Sequence, residues 1–139
     1  MAESPSSPAA QRPLSPHLQV YRPQLTSGMS IFHRFTGIGL AGGVTLLVAW
    51  LVCLAWLPDF YPLFMSLLTS IIGKIFLFGW TWAFFYHLST GIRHLLWDAG
   101  WGLSLKGIYT SGYIALTIST LLTLGLWIIV LGHGVVSWL

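Results

Sequence analysis

An all-α integral membrane fold of three transmembrane helices is what this sequence predicts, and three observations predict it. Only 6% of the 139 residues are charged and 55% are hydrophobic, whereas an ordinary soluble domain carries about 25% charged residues. Three apolar stretches each exceed the roughly 20 residues that a helix needs to cross a ~30 Å hydrocarbon core. Runs such as GVTLLVAWLVCLAWL also lack the period of two that a membrane barrel requires, and lipid offers no partner for an unpaired backbone group. The mean hydropathy of +0.79 agrees. Six Lys or Arg and three Asp or Glu cannot cover a soluble globule of this size, and eight Trp suit the lipid interfaces. A soluble enzyme is excluded.

The elements follow in order along the chain. Residues 1–28 hold five Pro and no apolar run long enough for a signal peptide, and they are not the Arg-rich, acid-free helix of a mitochondrial presequence. They are expected to be a cytoplasmic tail on a bacterial chain without a cleaved leader. Residues 29–139 are expected to be the membrane domain, with helices over about 30–57, 62–95 and 107–133. The first span is uncharged from Phe35 to Pro58, the second runs from Phe60 to Ile92 with Lys74 alone inside it, and the third is uncharged from Gly107 to Leu139. Lys74 is expected to snorkel from the second helix to the outer interface, an interfacial start to that helix being the alternative.

Lys and Arg set the orientation. Arg12, Arg22 and Arg34 precede or open the first span, and Arg93 and Lys106 flank the second loop. The first loop (Pro58, Asp59, Phe60, Tyr61, Pro62) and the C-terminal end carry no Lys or Arg. This predicts a cytoplasmic N-terminus and a periplasmic C-terminus in a bacterial inner membrane. Small residues recur as Gly37, Ala41 and Thr45, as Gly39 and Gly43, and as Gly73, Gly79, Ala83 and Gly91, which predicts close helix contact, including contact with a second membrane subunit. The net charge of +3 is scattered singly and gives no nucleic-acid surface. Cys53 lies mid-span and reads as an inert thiol.

Ionisable groups beside a span are costly and point to function. They gather at one membrane face: His33 and Arg34 open the first helix, and His87, Arg93, His94 and Asp98 close the second. If Arg93 marks the interface, His87 lies roughly 9 Å deeper. Its helical face reads Ala83, His87, Gly91, His94, with small residues leaving a flat slot beside an imidazole. A porphyrin needs such a slot and its iron needs an imidazole. A histidine hydrogen-bonded between helices fits the same pattern. His94 cannot share one iron with His87 from the same straight helix, and His133 and His17 belong elsewhere. A second ligand is therefore His33 or comes from another subunit. His33, Arg34 and His94 also suit the propionates of a haem. Ser30 can donate to a quinone carbonyl and Arg34, one turn on, can stabilise charge on a reduced quinone; an N-cap serine and a phosphate-binding arginine are the plainer readings. Asp98 can pair with His94 or pass protons inward.

RPLSPHLQVY followed by SIFHRFTGIGL and then HLSTGIRHLLWDAG resembles the cytochrome b membrane-anchor subunit of succinate dehydrogenase, in its mitochondrial and alphaproteobacterial form. The motifs cover Arg12 to about Gly100, and the third helix matches in topology. The resemblance implies His87 as an axial ligand of haem b, with the opposite ligand from a companion anchor subunit. It also implies Ser30 and Arg34 in a ubiquinone pocket and His33 beside the haem propionates. Arg93, His94 and Asp98 occupy the same motif without settled individual roles. The implied partners are a second membrane anchor, an iron-sulfur subunit and a flavoprotein subunit that oxidises succinate. This chain has neither a dinucleotide fingerprint nor a cysteine cluster, so its share would be anchoring, quinone binding and half a haem site rather than catalysis alone.

Other classes compete on stated grounds. A haem-free quinone anchor and a fumarate reductase anchor share the pattern. A small proton carrier or transporter would need a polar route across the bilayer, and the outer halves offer only Lys74, Thr45, Ser66, Thr69, Ser70, Thr123, Ser137 and His133.

Overall fold

The computed structural model describes residues 24–132. Four helices follow one another: α1 (Leu25–Trp56), α2 (Tyr61–Thr69), α3 (Ile71–Asp98) and α4 (Leu105–Gly132). No strand occurs among the described residues. Three of the helices, α1, α3 and α4, are long and apolar enough to cross a membrane. At 1.5 Å per residue, the 32 residues of α1 extend roughly 48 Å, so α1 outruns the hydrocarbon and begins earlier than the expected residue 30. The expected tail falls mostly outside the described residues, as do Arg12, His17, Arg22, His133 and Ser137.

The helix expected over 62–95 is two helices. Ser70 adopts φ −61° and ψ 160° and its hydroxyl accepts from the Gly73 amide, capping α3 afresh. A side chain at Gly73 would meet the Leu67 and Leu68 carbonyl oxygens at 2.3 and 2.4 Å, so only glycine lets α3 start this close under α2. Lys74 therefore stands in the first turn of α3, not three turns into a continuous helix. Lys74 at a helix start corresponds to the alternative expectation for this residue rather than to the snorkelling one.

The α3–α4 connection is short and sharply defined. The Gly100 and Trp101 amides donate to the Trp97 and Leu96 carbonyls, and Gly100 takes φ 81°, a left-handed stop that satisfies the last carbonyls of α3. Ser104 then caps α4 by accepting from the Gly107 amide. The helices run back antiparallel, with α3 central, packed against α4 and α1, and α2 lying against α1 and α3.

Packing uses small residues, though not all those expected. On α1, Gly43 lies against the Trp80 indole and Gly37 against the His87 ring, whereas Gly39 and Gly79 face open space. The closest small face is one the sequence reading did not single out: Gly112, Ala115, Ser119 and Thr123 of α4, all buried. Ser119 and Thr123 return their hydroxyl protons to the Leu116 and Ser119 carbonyls, which lets polar side chains lie inside the bundle without unpaired donors. Trp82 and Trp127 donate across to Thr120 and Thr81, tying α3 to α4 in both directions. At the end where α1 begins, Met29, Tyr86 and Ala115 form the core, and the Tyr86 hydroxyl donates to the Met29 carbonyl at 2.9 Å.

Candidate functional site

The first turns of α1 and the last turns of α3 meet and bring three histidines together. Packing of Tyr86 on Met29 fixes the register of this contact. The His33 and His87 rings then lie face to face, with centroids 3.8 Å apart and planes 8° from parallel, and the His94 ring meets His33 edge-on at 5.2 Å. Two rings in mutual contact leave no room for a metal and its macrocycle between them. His33 is thus not placed as the opposite ligand to His87, and within this chain the second ligand anticipated as a possibility is not supplied by it.

Hydrogen bonds orient both imidazoles, and for His87 a carbonyl partner assigns the proton. The Thr36 hydroxyl donates to the His33 carbonyl at 2.9 Å, and that same carbonyl lies 3.1 Å from His87 Nδ1. A carbonyl only accepts, so Nδ1 carries the hydrogen. The Thr36 oxygen, 3.1 Å from the same nitrogen, is its second acceptor. A neutral imidazole protonated at Nδ1 presents its lone pair at Nε2, and Nε2 of His87 has no hydrogen-bond partner among the described residues. On the facing helix His33 Nδ1 is hydrogen-bonded to the Thr90 hydroxyl at 2.7 Å, which also lies 2.7 Å from the Tyr86 carbonyl and 3.2 Å from the His87 carbonyl.

Around His87 the sequence leaves space on purpose-shaped ground: a Cβ on Gly37 would approach the ring's Cε1 at 3.0 Å, and one on Gly91, a turn beyond His87, would meet nothing within 4 Å. Ala83, His87, Gly91 and His94, the residues of the expected slot, follow one another along α3, and each is half-buried. Among the described residues no three His, Cys, Asp or Glu side chains are grouped to hold a bare metal ion. A single imidazole suits a metal that arrives with most of its ligands already attached.

The remaining candidates separate into two groups. Arg93 is buried at 5% exposure, with Nε donating to Ser111, NH2 donating to the Ile108 carbonyl, and its guanidinium 3.9 Å over the Trp97 ring. It joins α3 to α4. His94 rests against His33 and Trp97, in place of the expected pairing with Asp98, which ends α3 exposed. Ser30 and Arg34 lie one turn apart on α1 and both are exposed. Because α1 starts at Leu25 behind Gln24, Ser30 is not an N-cap. Both point at surroundings that the described residues do not fill.

Thr36 and Thr90 escaped the sequence reading. The signal was there: His33 to Thr36 and His87 to Thr90 are the same H-x-x-T spacing, once on each of two facing helices. Tyr86 and Gly112 left no such mark.

Comparison with known proteins adds the relationship. The family model for the succinate dehydrogenase/fumarate reductase transmembrane subunit matches residues 8–126. The chain is 42% identical over 118 residues to the succinate dehydrogenase cytochrome b556 subunit of Rickettsia prowazekii, covering 85% of this chain and 92% of that one. To the subunit of the same name from Paracoccus denitrificans it is 41% identical over 117 residues, covering 80% and 90%. To the cytochrome b560 subunit of Marchantia polymorpha it is 39% identical over 122 residues, covering 81% and 86%.

Proposed function

The chain belongs to the succinate dehydrogenase/fumarate reductase transmembrane subunit family, and from that premise we propose that it anchors a succinate:quinone oxidoreductase, supplies one axial ligand to haem b through His87, and forms part of the ubiquinone site. The chain is a multi-pass membrane subunit of an electron-transport enzyme. The observation that carries the haem assignment is the His87 imidazole, held at Nδ1 by two acceptors and without a partner at Nε2 among the described residues. Metal-ligating histidines characteristically donate their other ring nitrogen to a carbonyl or a similar acceptor. The relatives' name, cytochrome b, supports the same cofactor.

Haem b, when bound, supplies a one-electron redox centre within the membrane. The chain's own residues do the rest. His87 would hold the iron on one side, with the opposite ligand from a second anchor subunit, since His33 is stacked on His87 rather than set opposite it. His33 and His94 present imidazole edges to the haem propionates, and Arg34 adds a permanent charge nearby. Ser30 donates to a quinone carbonyl and Arg34 stabilises the negative charge that develops as that oxygen is reduced. Asp98, exposed at the end of α3, can deliver the protons that the reduced quinone takes up. An iron-sulfur subunit and a flavoprotein subunit dock on this face and provide the electrons from succinate.

Orientation follows the cations: the histidine end faces the cytoplasm, and the α1–α2 turn at Leu57–Phe60 faces the periplasm. Reporter fusions after residue 60 should read periplasmic and fusions at Ser104 cytoplasmic; a cytoplasmic signal after residue 60 reverses the topology. For the haem, His87→Leu in the purified complex should abolish the low-spin absorption in a reduced-minus-oxidised spectrum or convert it to high spin. Retention of the wild-type spectrum removes the ligand assignment.

A further inference from the structure

The two H-x-x-T turns clasp each other: His87 Nδ1 of α3 bonds Thr36 of α1 at 3.1 Å, and His33 Nδ1 of α1 bonds Thr90 of α3 at 2.7 Å. We propose that Thr36 is a positioning residue for the axial haem ligand, its oxygen sharing the Nδ1 hydrogen with the His33 carbonyl and so setting the ring plane and the electron richness of His87. This rests on the reading of His87 as ligand.

Thr36 has one hydroxyl hydrogen, directed to the His33 carbonyl, so its oxygen faces His87 only as an acceptor. The hydroxyl cannot favour the alternative tautomer in this arrangement, because its proton is already engaged. The ring is further bounded on one face by His33, in parallel contact, and at Cε1 by Gly37, where a Cβ would stand 3.0 Å away. Rotation about its own axis is thereby restricted to the range in which Nδ1 reaches both the Thr36 oxygen and the His33 carbonyl. All of these restraints come from the single stretch His33–Gly37 of α1, whereas the ligand sits on α3. Thr36 touches neither the iron nor the quinone; it acts through the imidazole. A hydrogen bond accepted from Nδ1–H makes the opposite nitrogen a stronger donor to the metal and so favours its oxidised state.

The test uses the complete complex, with Thr36→Val, which removes the hydroxyl at nearly constant volume, and Thr36→Ser, which restores it. Thr36→Val should still bind haem in a low-spin form, but with a raised midpoint potential, a shifted ferric electron paramagnetic resonance spectrum and about 10-fold weaker haem retention. Thr36→Ser should return all three to wild-type values. A merely structural threonine would lower the yield of complex without moving the potential or the spectrum. If Thr36→Val does not assemble, Thr36→Ala provides the same comparison without added bulk. His87→Leu, prepared in parallel, separates the two ideas. Loss of the low-spin signal in His87→Leu together with a wild-type potential and spectrum in Thr36→Val overturns the positioning role alone. A wild-type signal in His87→Leu overturns the ligand assignment and the positioning role with it.

Discussion

Arg93 shows how a cation is accommodated in an apolar bundle without an opposite charge. Its neighbours are a hydroxyl, a carbonyl and an indole face, from α4 and from its own helix. Hydrogen bonds to a charged group are worth roughly 1.5–3 kcal/mol, and a partly desolvated cation–π contact adds about 1 kcal/mol. Arg93→Met keeps the apolar stem and removes these contacts. The Ser111 hydroxyl still donates to the Ile108 carbonyl at 3.1 Å, so one partner is not orphaned. The variant should therefore be destabilised by about 2 kcal/mol, seen as a lower Tm of the detergent-solubilised complex with the haem spectrum retained. An unchanged Tm would contradict the role. This role was invisible in the sequence because Ile108 and Ser111 come next to Arg93 only after the chain reverses at Gly100. The hydrogen bonds of His33 and His87 were hidden for the same reason: their threonine partners lie 57 and 51 positions away.

Among the elements, the junction of α2 and α3 is the most exacting. Apolar runs reveal length but not a break, and Phe60 to Ile92 read as one helix with a misplaced lysine. Ser70 as a cap and Gly73 three residues later are the local signature, and the Leu67 and Leu68 carbonyls beside Gly73 make it obligatory. Gly73→Ala forces backbone against backbone, where no side chain can yield. It should reduce the amount of assembled complex in the membrane several-fold while a Ser70→Ala variant, which loses a cap worth about 1 kcal/mol, should assemble with a modestly lower Tm. Normal assembly of Gly73→Ala would show that the junction tolerates a side chain. The α4 face of Gly112, Ala115, Ser119 and Thr123 was legible as a small-residue repeat but was overshadowed by the more numerous glycines of α1 and α3, several of which face open space.

At the scale of the whole molecule, the site is incomplete within one chain. Large apolar side chains such as Phe35, Ile38 and Ile71 are 66%, 70% and 78% exposed, as lipid or a partner membrane subunit requires. Ser30 and Arg34 share that outward exposure, so in the proposed quinone site the described residues form one wall only. Ser30→Ala should raise the barrier to quinone reduction by roughly 0.5–1.5 kcal/mol and Arg34→Leu by more. Succinate oxidation by an artificial acceptor that takes electrons upstream should continue in both. Wild-type quinone kinetics in both variants would move the quinone pocket elsewhere.

The sequence by itself determined the solvent, the helical class, the three spans and the end of the bundle where the ionisable residues collect, because hydropathy and charge act through composition and order along the chain. The family relationship was legible too, in two motifs whose spacing survives as helix faces. Only the packed bundle shows which small residues touch, where α3 begins, that His33 stacks on His87 instead of opposing it, and which nitrogen of His87 bonds to α1. Each of these depends on a contact between helices, at distances where a fraction of an ångström separates a hydrogen bond from a clash, and no pattern within one helix encodes its neighbour's register.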